Sequence, residues 1–456
     1  MYTILGAGLS GISVADHLHK KRIPFEIYEA KAHGGGHIHS EQVGGFTWDE
    51  GPHVSFTKSD YVKKYFADNV ADKYFEFATT PSNYYKGHWI PHPAQSNMYA
   101  VPEPLRSQSI ADLKQVRGTI SEDFKAANYE EWLKFAFGES FTEHLPAVYT
   151  NKYWTTIPRN LTTDWIGKRV YFPGVSDMVE SANGPLQKQT HYLTHVRYPE
   201  RGGFYAYIKA VEKALPIRYQ KKLQHISFEK KELLFSNGER KAFDKLVSTL
   251  PLPELIMNSD APVEIKAQAK KLKCSQVLIV NVVVNHPAPI PNQWIYIYDE
   301  DMYATRVNFT ELLSPNNGLP GKSGIQVEVY FSDYRPLSES IEQVEQKVLN
   351  ELVTLQLAKS KESIESYHSK WINWANVIFD LDRVEAQEAI FNWLHTKGMV
   401  READDLEPMT DWDSKFSSVE EAGDIILAGR FAQWKYYWTD DCVLRGLLIS
   451  NRIKSQ

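Results

Sequence analysis

The sequence predicts an α/β protein, in which a discontinuous Rossmann-like dinucleotide-binding domain carries a helical insert and a second domain built on a mixed β-sheet. Three observations predict it. An apolar strand runs into Gly6-x-Gly8-x-x-Gly11 and on into a helical pattern. A second strand, residues 25–28, ends in the acidic Glu29, about twenty residues after the turn, as dinucleotide folds require. Two later apolar segments, residues 245–250 and 423–427, have the length and flanks of parallel strands returning to the same sheet.

Taken in order, Gly6 permits the tight turn, Gly8 lets a pyrophosphate approach the backbone, and Gly11 lets helix and strand pack closely. The following helix offers free N–H groups and partial positive charge to phosphates. Glu29 stands where a carboxylate holds ribose hydroxyls. Gly35 and Gly36 mark a second close approach of backbone to ligand. The neighbouring His33, His37 and His39 lack a carboxylate or cysteine at ligand spacing, so no metal site is expected. Residues 46–56 form a strand, a turn and an apolar continuation, with His53 in the turn. Residues 61–77 read as a helix, then extended chain. Residues 87–97 are proline-punctuated and cannot be a central strand. Over residues 110–141 the period turns helical, with Tyr129, Trp132, Leu133 and Phe137 on one buried face. A helix at 205–215 precedes strands at 225–228, 233–235 and 246–249, the first two leading into an Asn237-Gly238 hairpin turn. The middle third is strand-rich (276–285, 294–298, 303–309, 324–331), with a helix at 340–356 whose apolar positions are Ile341, Val344, Val348, Leu349 and Leu352. A final helix spans 441–452, capped by Asp440 or Asp441. The expected domains are 1–80, 198–262 and 420–456 for the dinucleotide; 105–197 for the helical insert; 81–104 and 263–419 for the mixed sheet.

Composition bounds the function. At 456 residues the chain holds two or three domains. It is 43% hydrophobic and 24% charged, an ordinary balance for a soluble protein. Aromatics at 13% suit a large, partly polar cavity. A net charge of −6 gives no reason to expect nucleic acid. Cys274 and Cys442 form no metal or redox motif, so a reducing compartment is expected. No apolar run reaches the length of a membrane span, and a strand beginning at residue two leaves no place for a signal peptide. A cytoplasmic protein without an integral membrane segment is the expectation.

The arrangement Glu29…Gly35-Gly36 is typical of FAD proteins of the amine oxidase and glutathione reductase superfamily. Over nearly its full length the chain resembles the UDP-galactopyranose mutase family, more its eukaryotic-type members. The matching stretches are 6–11, 49–56, 89–97, 149–173, 198–203, 294–315 and 429–436. Trp154 and Arg169 stand apart as that family's active-site Trp and Arg do; Tyr296 and Arg306 match a Tyr and an Arg of its substrate domain. Gly429-Arg430 followed by Tyr436 matches its closing flavin-side motif. The resemblance implies a nucleotide-sugar substrate and FAD as cofactor, active when reduced, with NAD(P)H a candidate reductant. The implied reaction is pyranose/furanose interconversion, with the reduced flavin as nucleophile and no net redox change. It assigns Arg169 and Arg306 to the diphosphate, a task that suits planar, permanently charged guanidinium groups. Tyr296 and Tyr436 become hydroxyl donors, Trp154 lines the sugar pocket, Gln95, Tyr149 and Asp440 contact substrate, and His53, Gly429 and Arg430 border the flavin. The chain departs from the family at His92 and Ala94, beside Gln95; at Trp374-Ala375-Asn376, where a family Tyr is missing; and at Trp438-Thr439, in place of smaller or acidic residues. These departures leave base and sugar open, and a deoxyhexose is compatible. The competing class is an FAD-dependent oxidoreductase of the amine-oxidase or protoporphyrinogen-oxidase type; a third is an FAD-binding protein without catalysis.

Overall fold

Three separated parts of the chain make one parallel sheet. Tyr2–Leu5 lies between Lys245–Ser248 and Phe25–Tyr28, with Ile425–Leu427 and Ile217–Arg218 at the two edges, and every pairing is parallel. Both expected return strands are therefore present, and the dinucleotide domain is discontinuous. The computed structural model describes residues 1–121, 123–167, 169–186, 188 and 194–453. Helix Leu9–Lys20 follows the first strand and packs against the closing helix, Thr439–Arg452. A side chain at Gly446 would collide with Ser13, so the two helices approach to backbone contact there. The closing helix begins before the expected residue 441. The Asp441 carboxylate accepts the Trp438 N–H (2.6 Å), which places Asp440 inside the first turn.

The second sheet has seven strands, in the order Ile364–Val377, Cys274–Val284, Ser323–Phe331, Arg306–Phe309, Trp294–Ile297, Ser82–Tyr85 and His88–Pro91. Its proline-bearing strand is an edge, where a missing N–H costs nothing. The other edge, Ile364–Val377, is a long strand absent from the sequence expectations, as is helix Arg383–Thr396. Exposed Glu365, Ser366 and Tyr367 interrupt the apolar alternation that would have marked the strand. One face of the sheet is plain core. Leu278, Val280, Val282, Val327 and Val329 pack there with Val344, Val348 and Leu352 of helix Ile341–Thr354. The other face carries the polar side chains and looks toward the parallel sheet.

The helical insert divides into Leu105–Thr119, Tyr129–Phe137, Glu139–His144 and Pro146–Tyr153. Gly138, at φ +82°, breaks the continuous period expected over 110–141, because the chain turns against the backbone of Leu113. No helix among the described residues is long and apolar enough to cross a membrane.

Candidate active site

Period-two alternation turns one face of the seven-stranded sheet into rows of side chains. In one row, Lys370, Ile279, Glu328, Arg306 and Tyr296 stand opposite one another across five strands. The adjacent row is Ile372, Val277 and Tyr330. On the other side lie His368, Asn281, Gln326, Asn308 and Trp294. There Gln326 Nε2 donates to the Asn281 side chain (2.9 Å) and to the Asp49 carbonyl (2.9 Å), which seats the turn that carries Glu50, Gly51 and His53.

The first two rows, Lys370 apart, and Trp294 of the third form one wall of a cavity of about 340 Å³. The opposite wall comes from the parallel-sheet domain: Gly8, Gly35, Gly36, His37, Gly429 and Arg430. Tyr296, Arg306, Tyr436 and His53 also line it, so all of these but His37 are residues given a site role from the sequence, and they meet in one space. Arg306 is gripped by Glu328, with Nε and Nη2 on the two carboxylate oxygens at 2.5 and 2.7 Å. Burial works against the guanidinium charge, but the Glu328 carboxylate outweighs it and holds Arg306 firmly protonated. Arg430 donates from Nε to the Tyr437 carbonyl (2.8 Å) and from Nη1 to Asn376 (3.4 Å). Among the described residues no carboxylate pairs with it. His53 Nδ1 lies 2.8 Å from the Gly51 carbonyl. Burial lowers the ring to about 4, and His37 likewise to about 4, so both are neutral at pH 7. The neutral His53 ring donates from Nδ1 and keeps Nε2 as an acceptor. Burial also raises the Tyr296 hydroxyl, which remains a donor; it accepts Trp294 Nε1–H at 3.0 Å.

Five expected substrate residues stand outside the cavity lining. The Arg169 guanidinium is stacked between the rings of Tyr436 (4.1 Å) and Trp438 (4.4 Å) and donates to the Tyr436 carbonyl (3.0 Å) and to Met409 sulfur. Trp154 packs behind Tyr436, at 5.8 Å between ring centres, and against Trp165. Tyr149 meets Tyr296 edge-on at 5.4 Å, and thereby backs the lining from the helical insert. Gln95 donates to the Tyr171 carbonyl (3.2 Å). Asp440 is held at the head of the closing helix, its carboxyl raised by burial. Sequence reasoning missed Glu328. A signal was present: Gln326, Glu328 and Tyr330 put polar groups at period two in an otherwise apolar strand. Glu212 was missed as well. It accepts the Gly34 N–H (2.8 Å) and the Tyr219 hydroxyl (2.6 Å), and so fixes the second glycine loop from helix Ala206–Ala214.

A family model of flavin containing amine oxidoreductases matches residues 9–453. The chain belongs to that family. Among solved structures, it is similar to reduced UDP-galactopyranose mutase, with a TM-score of 0.86 at 22% identity, over 98% of this chain and 92% of that one. It is also similar to a protein from Exiguobacterium sp. 255-15 assigned as a protoporphyrinogen oxidase (TM-score 0.71, 15% identity, 99% and 97% covered). A third likeness is to a CLA-producing fatty acid isomerase from P. acnes (TM-score 0.62, 14% identity, 99% and 98% covered). The family is one of flavin enzymes, and the glycine loops fit FAD. Gly6 and Gly11 are explained by the protein alone, since a Cβ on either would collide with Thr249 or with the Gly6 carbonyl. Gly8 is not. Its φ of −72° suits any residue, and its Cβ would come no nearer than 3.7 Å to protein, at Gly36. What a side chain at Gly8 would fill is cavity, beside the start of helix Leu9–Lys20, where a pyrophosphate is favoured. Glu29 is drawn to the same loop, accepting the Ala7 N–H (2.7 Å) and Lys31 N–H (2.8 Å), with lone pairs left for ribose hydroxyls.

Proposed function

We propose that the chain is an FAD-dependent sugar-nucleotide mutase, interconverting pyranose and furanose forms with the flavin reduced. The observation that carries this reading is the single cavity joining the glycine loops to Tyr296, Arg306 and Tyr436. Held by the glycine loops and reduced, FAD would supply a nucleophile for the anomeric carbon, with the nucleoside diphosphate as leaving group. The chain's own residues bind and orient. Glu328 occupies two of the five Arg306 N–H donors and fixes the plane of the guanidinium, leaving its Nη1 edge for a phosphate oxygen. Tyr296 and Tyr436 donate hydroxyl groups to the same diphosphate. Arg430 brings a positive charge unmatched by a carboxylate to the flavin side. His53 offers Nε2 as an acceptor beside the flavin. Arg169 completes the phosphate clamp when it leaves its place between Tyr436 and Trp438, and Gln95, Tyr149, Trp154 and Asp440 form the outer substrate shell. NAD(P)H is the proposed source of electrons, and the cytoplasm the proposed compartment.

One observation favours a second reading, an FAD-dependent oxidoreductase. Arg306 is neutralised by Glu328 and Arg169 lies outside the lining, which leaves the cavity less cationic than a diphosphate site needs. One experiment separates the two. Purified yellow protein, kept reduced with dithionite, is given a panel of nucleotide pyranoses and furanoses, while oxygen uptake is followed separately with candidate amines. Isomer interconversion that requires reduced flavin supports the mutase. Flavin reoxidation with oxygen uptake, and no interconversion of any panel member, would replace it with the oxidoreductase.

A further inference from the structure

The cavity wall made by the seven-stranded sheet contains an apolar window. On the cavity-facing side of strand Cys274–Val284 the residues run Ser275, Val277, Ile279, Asn281, so the apolar stretch is two positions long and polar at both ends. Ile372, opposite Val277 on the neighbouring strand, widens it, and Tyr153 and Ala375 pack against its rim. Val277 to Ile279 spans about 7 Å along the strand. That is room for a methyl group and one edge of a sugar ring, and too little for a lipid chain. Strand propensity does not explain these residues, because elsewhere on the same face the sheet carries Asn281, Gln326, Glu328 and Arg306.

The polar groups beside the window are engaged with one another. Both Glu328 oxygens are on Arg306, the Tyr153 hydroxyl donates to Asn376 (3.1 Å), and Ser275 Oγ accepts the Asn376 N–H (3.1 Å). A hydroxyl group turned toward Val277, Ile279 and Ile372 would give up its water to face three hydrocarbon side chains. A methyl group there would gain apolar contact. Resting on the mutase reading above, we propose that the sugar is a 6-deoxyhexose, whose methyl group packs on Val277, Ile279 and Ile372 where a hexose would place a hydroxymethyl. Val277 and Ile279 are thereby specificity-determining residues.

An apolar pocket separates ligands differing by one hydroxyl by roughly 10- to 100-fold. The test uses the holoenzyme, reduced with dithionite. It compares one nucleoside-diphosphate hexose with its 6-deoxy counterpart on the same base, by calorimetric Kd and by kcat/KM for ring interconversion. The 6-deoxy sugar is expected to bind and turn over about 10- to 100-fold better. Val277→Thr, which adds a hydroxyl at constant volume, should cut that preference about tenfold in protein that is still folded and flavin-loaded, with some loss of melting midpoint. Ile279→Thr serves as the second variant if Val277→Thr does not fold. Equal affinity for the two sugars in the wild type, or an unchanged ratio in a folded, flavin-loaded variant, overturns the proposal and leaves the mutase standing. No binding of any nucleotide sugar overturns the mutase reading and this one together.

Discussion

Arg306 and Glu328 form a pair whose worth can be worked from the structure. The Glu328 side chain is 4% exposed and that of Arg306 23%, and two short hydrogen bonds join them. Removing one partner of a buried, bidentate pair costs about 3–5 kcal/mol, because the other charge stays buried without compensation. Arg306→Met should sit near the low end, about 3 kcal/mol, since the cavity lets water reach the carboxylate. Glu328→Met should cost less, about 2 kcal/mol, because the guanidinium it strands is the more exposed group. With both replaced no charge is stranded, and the double variant should return to within about 1 kcal/mol of wild type. The assay is the thermal midpoint of all four proteins in one buffer, with flavin absorbance taken on the same samples. The chain has more than one domain and two-state unfolding is not assumed, so the sign and order of the midpoints carry the test. All three variants should keep FAD and lose turnover. A double variant no more stable than the worse single one would refute the argument that charge stranding, not lost contact, sets the cost. Wild-type turnover in Arg306→Met would remove Arg306 from the mechanism.

Gly8→Val should fold with the midpoint of the flavin-free wild type and purify colourless, whereas Gly6→Val should lose the fold itself, since Gly6 sits at φ +94° against Thr249; a fully loaded yellow Gly8→Val protein would refute the cradle. Glu402 is buried, which alone would raise its carboxyl, but Arg445 and Lys415 hold it far below the usual range. A carboxylate depressed in the folded state stabilises above its unfolded pKa, so Glu402→Gln should lower the midpoint at pH 7, and the gap to wild type should close as pH falls below about 4.5. Lys152 donates to the Asp299 carbonyl (2.7 Å) in a buried site, where desolvation brings it down to about 7. The unfolded chain holds that proton more tightly, so the wild type carries a penalty that is full below pH 7 and gone near 10.5. Lys152→Met should gain relative stability at pH 7 and lose that advantage by about 1.4 kcal/mol per pH unit above it; a pH-independent difference between the two midpoints would count against a buried lysine.

The parallel sheet was legible because each element has a local cause. Gly6, Gly11 and the apolar strand fix the turn, and the two return segments read as strands without reference to their partners. The cavity residues that sequence spacing grouped, Tyr296, Arg306, Gly429, Arg430 and Tyr436, do meet. What could not be read was pairing. Glu328 acquires its role only by standing opposite Arg306, a register between two strands that no local pattern encodes. Strand Ile364–Val377 was hidden because one end faces solvent and the other faces a partly polar cavity, so neither face keeps an apolar alternation. Helix Arg383–Thr396 escaped for a related reason: Arg383 and Gln387 are both fully buried on its inner face, joined at 3.0 Å, where a sequence reader expects apolar side chains.

Trp438 shows how one departure from the resembled family alters the electrostatics of the whole site. An acidic residue at this position would offer Arg169 an ion pair. Trp438 instead offers a ring face, and together with Tyr436 it holds the guanidinium by stacking. Two carboxyls stand nearby at the head of the closing helix. Burial raises the Asp440 carboxyl, and burial together with Asp440 raises Asp441 to about 7, while the charge of Arg169 pulls both back down. Positive charge is thus kept at the cavity wall: Arg430 meets no carboxylate among the described residues, and Arg306 is held by Glu328. An arginine that lines an aromatic-walled space and meets no carboxylate among the described residues is suited to receive an anion that comes and goes, such as the proposed diphosphate.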